Sequence, residues 1–273
     1  MANGIKTWFK SVIRILDKKR VVRFSISILS LIAFVIIWQI AADISDTEYL
    51  PTPGEVLDAF FDSFVTKDPA SQVTMWQNIE MSLDRFIIGF LLAMILAVPM
   101  GLLIGYFWVP GAFAKPLIEI FRPIPPIAWV PIFLVIFKDV WGPIIVILIG
   151  AFFPVLSNVV FGVKSVEPHL IDAAKTLGAG RATLFTKVIF PYTIPYLMAG
   201  VTIGLGIAWM CIVAAEMIGA RGGGVGLYIY NQAAIGRFDY MFAGIVVIAL
   251  LGLITVGLAS FVEKRLSKWK EVR

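Results

Sequence analysis

A single cysteine, Cys211, and a single histidine, His169, are all the thiol and imidazole that 273 residues offer. No internal disulfide can form, and no metal cluster or paired nucleophile and base can be built around them. Charge is scarce too. Only 15% of residues are Asp, Glu, Lys or Arg, against roughly 25% in a soluble domain. The chain lacks the polar surface to face water all round. It also lacks a G-x-x-x-x-G-K-[ST] phosphate loop, since Gly178-Ala-Gly-Arg-Ala-Thr has no lysine and Gly222-Gly-Gly-Val-Gly is a turn. Nucleotide hydrolysis by this chain is excluded on that ground.

What the sequence does have is long apolar runs. A spanning helix needs about 20 mostly apolar residues, because only internally hydrogen-bonded segments survive in hydrocarbon. Six runs qualify: Phe24–Ala42, Phe86–Trp108, Pro116–Phe137, Trp141–Val163, Pro191–Ile218 and Met241–Val262. The expectation is an all-α, multi-pass membrane protein with six transmembrane helices. Met1 to Arg23 carries seven basic residues and one acid, and the run behind it is too long for a cleaved signal. It reads as a basic leader, 1–23, before a retained first span. Trp8, Trp38, Trp108, Trp141 and Trp269 fall near the proposed interfaces, as an aromatic belt requires.

Lys and Arg set the orientation. With the N-terminus inside, segments 1–23, 109–122, 164–190 and 263–273 hold 18 of the 23 basic residues. The outside loop 43–80 carries eight acids against Lys67 alone. Both termini are therefore expected in the cytoplasm. The net charge of +5 reflects topology rather than a nucleic-acid surface. This divides the chain into the leader, a first span with an extracytoplasmic loop (24–78), a core (79–262) containing the loop 164–190, and a tail (263–273). Val56, Leu57, Phe60, Phe61 and Phe64 recur at helical spacing, which predicts an amphipathic helix on the outer surface. Within the spans, Gly101/Gly105 and Gly200/Gly204 allow close backbone approach. Pro99, Pro125, Pro126, Pro131, Pro154 and Pro195 are expected to bend or interrupt helices.

The loop between the fourth and fifth runs is the most informative stretch. Glu167 and Pro168 mark a helix start. Leu170, Ala173, Ala174 and Leu177 follow at i, i+3, i+4 and i+7, and Gly178 supplies the stop. A short helix with two adjacent alanines can sink into a partner's groove; it can equally rest on lipid headgroups. A second short amphipathic run, Ala182 to Ile189, leads to Pro191.

Asp172-Ala-Ala-Lys-Thr-Leu-Gly178, nine residues, then Val188-Ile-Phe-Pro191 resembles the EAA loop of ATP-binding-cassette (ABC) importer permeases. Asp stands for Glu, Val for Ile and Phe for Leu, each conserving charge or apolarity. Leu50-Pro-Thr-Pro, Arg122-Pro-Ile-Pro-Pro-Ile-Ala-Trp-Val-Pro131, Pro191-Tyr-Thr-Ile-Pro-Tyr-Leu-Met-Ala-Gly200, Gly204-Leu-Gly-Ile-Ala-Trp209, Val213-Ala-Ala-Glu-Met217 and Gly222-Gly-Gly-Val-Gly-Leu227 resemble the branch for nitrate, sulfonate, taurine and bicarbonate. The likeness implies a type I importer fold in which two permeases pair, here as a homodimer. It further implies a cytosolic ATPase dimer, docked on Pro168, Leu170, Asp172, Ala173, Ala174, Leu177, Gly178 and Pro191, and an extracytoplasmic solute-binding protein. ATP and Mg would be held by the ATPase; this chain would carry no cofactor and catalyse nothing. The location implied is the inner membrane, in contact with lipid.

For the path, the sequence offers candidates with two readings each. Arg122, where the third run meets the cytoplasm, is either a cation for a departing anion or a positive-inside anchor. Glu216 either gates the outer mouth, paired with Arg221 or Arg237, or is an interface acid reaching water. Trp129, Phe133 and Trp209 either line a cavity or pack. Asn158 reads as an interhelical hydrogen-bonder. Two alternatives to a small-anion permease stand: a permease of this family for a larger or uncharged solute, and an ion-coupled secondary transporter. The second needs ionisable groups inside the spans and an internal repeat; the spans are almost charge-free and no duplication is evident.

Overall fold

Chain segments that cannot hydrogen-bond to lipid must close their backbone bonds internally, and among the described residues every element is helical. The computed structural model describes residues 2–45, 47–219 and 222–266. Its helices are α1 (Ala2–Ser45), α2 (Pro53–Ser63), α3 (Met75–Tyr106), α4 (Trp108–Phe121), α5 (Val130–Lys164), α6 (Pro168–Thr176), α7 (Arg181–Leu184), α8 (Phe190–Gly219), α9 (Val225–Ala234) and α10 (Phe238–Leu266). A 3-10 turn (Pro126–Trp129) precedes α5, and a π turn (Phe185–Ile189) joins α7 to α8. The expected leader and first span are one unbroken helix, α1. The tail beyond Leu266, Trp269 included, and the Trp8 side chain lie outside what is described.

α5 is the centre of the bundle, held between α3 and α8 by glycines. A Cβ on Gly89, Gly101 or Gly105 of α3 would come within 2.8 Å of Ile147, Val159 or Val163. On the other face, Gly150 meets Cys211, Gly200 meets Asn158, and Gly162 meets Tyr196. Small residues matter here because apolar surface gains little by leaving lipid for another helix. Fully buried Val146, Ile147, Ala151, Val155 and Val159 occupy the seam.

The same contacts give the direction of each helix. Along α3 and α5 the paired numbers rise together, so the two run parallel. Along α5 and α8 they move oppositely, so those two run antiparallel. Parallel α3 and α5 require the chain between them to cross back. That return is α4 and Pro126–Lys138, bent by 82° at their break. Counted as one broken crossing, it joins Phe24–Ser45, Met75–Tyr106, Val140–Lys164, Arg181–Gly219 and Phe238–Arg265 to make six.

Three expectations change in detail. The third span, read as Pro116–Phe137 with bends or interruptions expected at Pro125, Pro126 and Pro131, begins earlier, at Trp108, and breaks after Phe121, where Pro123, Pro125 and Pro126 remove amide donors and disfavour helix before them. Pro99, Pro154 and Pro195, read as potential interruptions, lie within helical stretches of α3, α5 and α8, whereas α5 breaks at Lys138, whose φ is +59°; Asn158 Nδ2 donates to the Pro154 carbonyl at 2.8 Å. The second span starts earlier than Phe86, at Met75, where the Gln77 side chain accepts from the Thr74 amide at 2.9 Å.

α6 and α7 lie at one end of the bundle; α2 and α9 lie at the other. α2 is capped by Thr52 and Glu55, whose side chains bond each other's backbone amides. It buries Val56, Ala59 and Ser63 and leaves Leu57 and Phe61 exposed, the amphipathic helix expected. α1 touches the bundle through Trp38, whose indole donates to Pro51 O at 3.0 Å and whose ring lies 5.9 Å from Phe242.

The glycine seam predicts that Gly101→Ala overpacks α3 against Val159 and costs about 1–3 kcal/mol, lowering the melting temperature of the solubilised protein. Adding Val159→Ala restores most of it. Gly206→Ala, whose Cβ meets nothing within 4 Å, leaves it unchanged.

Candidate functional site

Three constellations carry chemistry. The first is α6. Pro168 begins the helix, and Gly178, at φ +81°, ends it in the left-handed conformation that glycine adopts freely. Gly178 N–H donates to Lys175 O and Ala179 N–H to Ala174 O, a complete Schellman stop. Ile171 and Ala174 face inward against Val163, Val166, Leu184 and Ile189. Asp172, Ala173 and Leu177 face outward, with Leu177 88% exposed. The four-residue apolar stripe of the sequence is therefore divided, with Ala174 holding the helix down and Ala173 and Leu177 presented outward. His169 pairs with Glu167 at 3.2 Å on the exposed side. Pro191 opens α8, beyond the π turn.

The second constellation is the break in the third crossing. Arg122 caps α4 and forms no ion pair among the described residues. It lines a cavity of about 280 Å³ with Ile124, Pro126, Ser157, Asn158 and Ile207. Trp129 and Phe133 stack with ring centroids 5.7 Å apart and line a neighbouring hollow. Trp209 is elsewhere. It is buried, stacked on Phe86 at 4.4 Å, and its indole donates to Thr255 Oγ1 at 3.0 Å, tying α8 to α10.

The third lies at the α2–α9 end. Glu216 is fully buried. Arg85 Nη1 donates to its Oε1 at 2.8 Å, the Ser82 hydroxyl is 2.9 Å from both carboxylate oxygens, and Gly226 N–H donates to Oε2 at 3.0 Å. Arg85 also donates to Gly223 O, Gly224 N–H to Asn78 Oδ1, and Val225 N–H to Ser82 Oγ. A Cβ on Gly224 would strike the Glu216 carboxylate, so the loop takes its form around the ion pair. Of the partners expected for Glu216, Arg221 lies outside the described residues, while Arg237 stacks on the Tyr240 ring at 3.5 Å. Arg85 takes their place. Arg85 is not among the residues that the sequence analysis singles out. Its signal was the polar stripe Asn78, Ser82 and Arg85 at i, i+4 and i+7 on one helix face. Asp68 was missed as well; its buried carboxylate accepts from Asn231 and Gln232 of α9. Nearby, the Tyr240 hydroxyl donates to Asp62 at 2.6 Å and holds that carboxyl below its ordinary pKa.

Residues 97–268 match the family described as binding-protein-dependent transport system inner membrane component. The chain belongs to this family. The taurine transport system permease protein TauC of Escherichia coli is 33% identical over 81% of this chain and 80% of its own. The nitrate import permease protein NrtB of Leptolyngbya laminosa is 33% identical over 88% of this chain and 87% of its own. The fold is that of the MetNI methionine ABC transporter in an inward-facing crystal form, with TM-score 0.57 and 22% identity over 71% of this chain and 96% of that one. The protein is an ABC importer permease, a membrane-embedded transport subunit. ATP hydrolysis belongs to a separate subunit, and the family works with an ATPase and a binding protein.

Removing one partner of a buried ion pair leaves the other uncompensated, at a cost of about 3–5 kcal/mol. Glu216→Leu or Arg85→Met alone should therefore lower the melting temperature of the purified permease sharply. The double variant should melt closer to the parent, and a double-mutant cycle measures the difference.

Proposed function

We propose that this permease passes a small anion, such as a sulfonate, taurine, nitrate or bicarbonate, into the cytoplasm. The observation that carries the reading is Arg122, a cation with no ion pair among the described residues, lining a cavity where the third crossing breaks. Two relatives named for taurine and nitrate support it. Beside apolar walls a guanidinium attracts an anion more strongly than it does in bulk water. Ser157 and Asn158 on the same cavity add neutral hydrogen-bonding groups. Glu216 does not repel such a substrate, because its charge is neutralised by Arg85 at the far end.

Two copies of the chain pair, each with both termini in the cytoplasm; the placement of Lys and Arg supports this orientation. α6 then faces the cytosol, and its outward Ala173 and Leu177 enter a groove on the ATPase, which holds ATP and Mg. The α2–α9 end receives the solute-binding protein. Nucleotide binding and hydrolysis move α6, and through Ile171 and Ala174 the motion reaches α5 and α8.

Two measurements on the permease reconstituted with its ATPase and binding protein test these roles. Arg122→Gln, at normal abundance, should cut anion uptake at least tenfold; unchanged uptake assigns Arg122 to anchoring. Ala173→Trp with Leu177→Asp should abolish copurification of the ATPase while the permease stays folded. Undiminished association rejects groove docking.

A further inference from the structure

α4 carries more charge than half of a membrane crossing needs. At about 100° per residue, Lys115, Glu119 and Arg122 fall within about 60° of one another on its surface. Val109, Phe113 and Ile120, all exposed, share an arc of about 40° on another side. Ala114 and Ile118 form a third face, packed on Ala97, Ile104, Val155, Leu156 and Val159. The helix therefore has one face for protein, one suited to acyl chains and one that is charged.

Its contacts set the depth of that charged face. A Cβ on Gly111 would lie 2.8 Å from Ile104 O, close to where α3 ends and Tyr106 packs beside α6. Arg122, by contrast, shares its cavity with α5 residues from Ile149 to Asn158, about 9–22 Å short of the end of α5 at Lys164. α4 thus climbs from the α6 end to the middle of the bundle, and Lys115 and Glu119 lie between. Ionisable groups within a crossing face the bundle interior or water. The Lys115 and Glu119 side chains are 74% and 66% exposed, so the bundle of this chain does not bury them, and water is their compatible neighbour.

We propose that the charged face of α4 lines an aqueous exit from the Arg122 cavity toward the α6 end, with Lys115 as the second cation that a departing anion meets and Glu119 as the group that displaces it. This rests on Arg122 serving the anion path and adds the residues of its exit. A single deep cation holds an anion where it binds; passage needs successive sites weak enough to leave. Lys115 stands about 10 Å nearer the α6 end than Arg122. Its Nζ lies 3.9 Å from Glu119 Oε1, a loose pair. An arriving anion takes the place of the carboxylate on Lys115, and Glu119 reclaims the ammonium as the anion departs.

The test uses the permease–ATPase complex in phosphatidylcholine nanodiscs, whose lipid carries no net charge. One cysteine is introduced at a time: Glu119→Cys, Ile124→Cys in the Arg122 cavity, or Phe113→Cys on the apolar face; Cys211 is buried. Modification of the permease by an anionic and by a cationic methanethiosulfonate is followed by mass spectrometry, each rate divided by that for free cysteine. Glu119→Cys and Ile124→Cys should both favour the anionic reagent at least fivefold, while Phe113→Cys reacts at least tenfold more slowly than either. Lys115→Gln should cut the preference at 119 at least threefold and Lys115→Arg should keep it; Arg122→Gln should cut the preference at 124. Mg-ATP with vanadate, which holds the ATPase closed, should slow modification at 119 at least tenfold, because an exit must shut while the complex faces outward.

A thiol at 119 as unreactive as that at 113 sets this face against lipid or protein and overturns the proposal. So does a reactive thiol without anionic preference, or with a preference that Lys115→Gln does not reduce. Modification at 119 unchanged by vanadate assigns Lys115 and Glu119 to a solvated surface and overturns it too. The reading beneath it fails separately. A preference at 124 that is absent, or unmoved by Arg122→Gln, removes the anion path at Arg122; an Arg122-dependent preference at 124 with none at 119 removes the exit alone.

Discussion

Apolar side chains in lipid gain almost nothing by touching each other instead of acyl tails, and this constraint shapes the whole permease. What remains to hold the crossings together is close contact and a few satisfied polar groups. Glycines at 89, 101, 105, 150, 162 and 200 let α3, α5 and α8 approach until a single added carbon would collide. Arg85, Glu216, Ser82 and Asn78 then fasten the α2–α9 end, where a glycine loop wraps a carboxylate that water does not reach. α5 is central in both senses. It packs on both neighbours, and its two ends meet the broken crossing and α6.

Rigidity there contrasts with features elsewhere in the bundle. The third crossing is bent by 82° at a proline-rich break, a π turn leads into α8, and α6 is held by only a few inward side chains. A machine driven from one end needs this distribution. In the proposed coupling, elements that can shift against the core lie at the α6 end and at the mid-bundle break, while the far end is bolted by a buried ion pair. Arg122 and its cavity sit at the break itself.

Much of this was legible in the residues, and the illegible parts share a cause. Crossings could be read because twenty apolar residues in a row have few other fates, and α6 because Pro168 and Gly178 punctuate it while the spacing to Pro191 carries the family resemblance. The partner of Glu216 could not be read: Arg85 lies 131 positions away, and only the fold brings α3 and α8 together. The nearer arginines, 221 and 237, were chosen by proximity along the chain, a poor guide when the segment between folds back as α9. Six runs were countable, and Pro125 and Pro126 marked the one that breaks, but prolines show only where a helix can stop and neighbours decide whether it does; Pro99 and Pro154 stop nothing. Ala173 and Ala174 read as one stripe because helical spacing gives faces but not which face is already occupied. Trp209 and Trp129 look alike in sequence, and only packing sends one into the core and the other to a cavity wall.

The central claim is that force from a cytosolic ATPase enters through the exposed side of α6. Accessibility of a Leu177→Cys variant to a membrane-impermeant maleimide tests it most directly, because Cys211 is buried and leaves one reactive thiol. The account predicts no labelling in intact cells, labelling in inverted vesicles stripped of the ATPase, and protection once the ATPase is added back. Labelling from outside intact cells, or labelling undiminished by the bound ATPase, would contradict it.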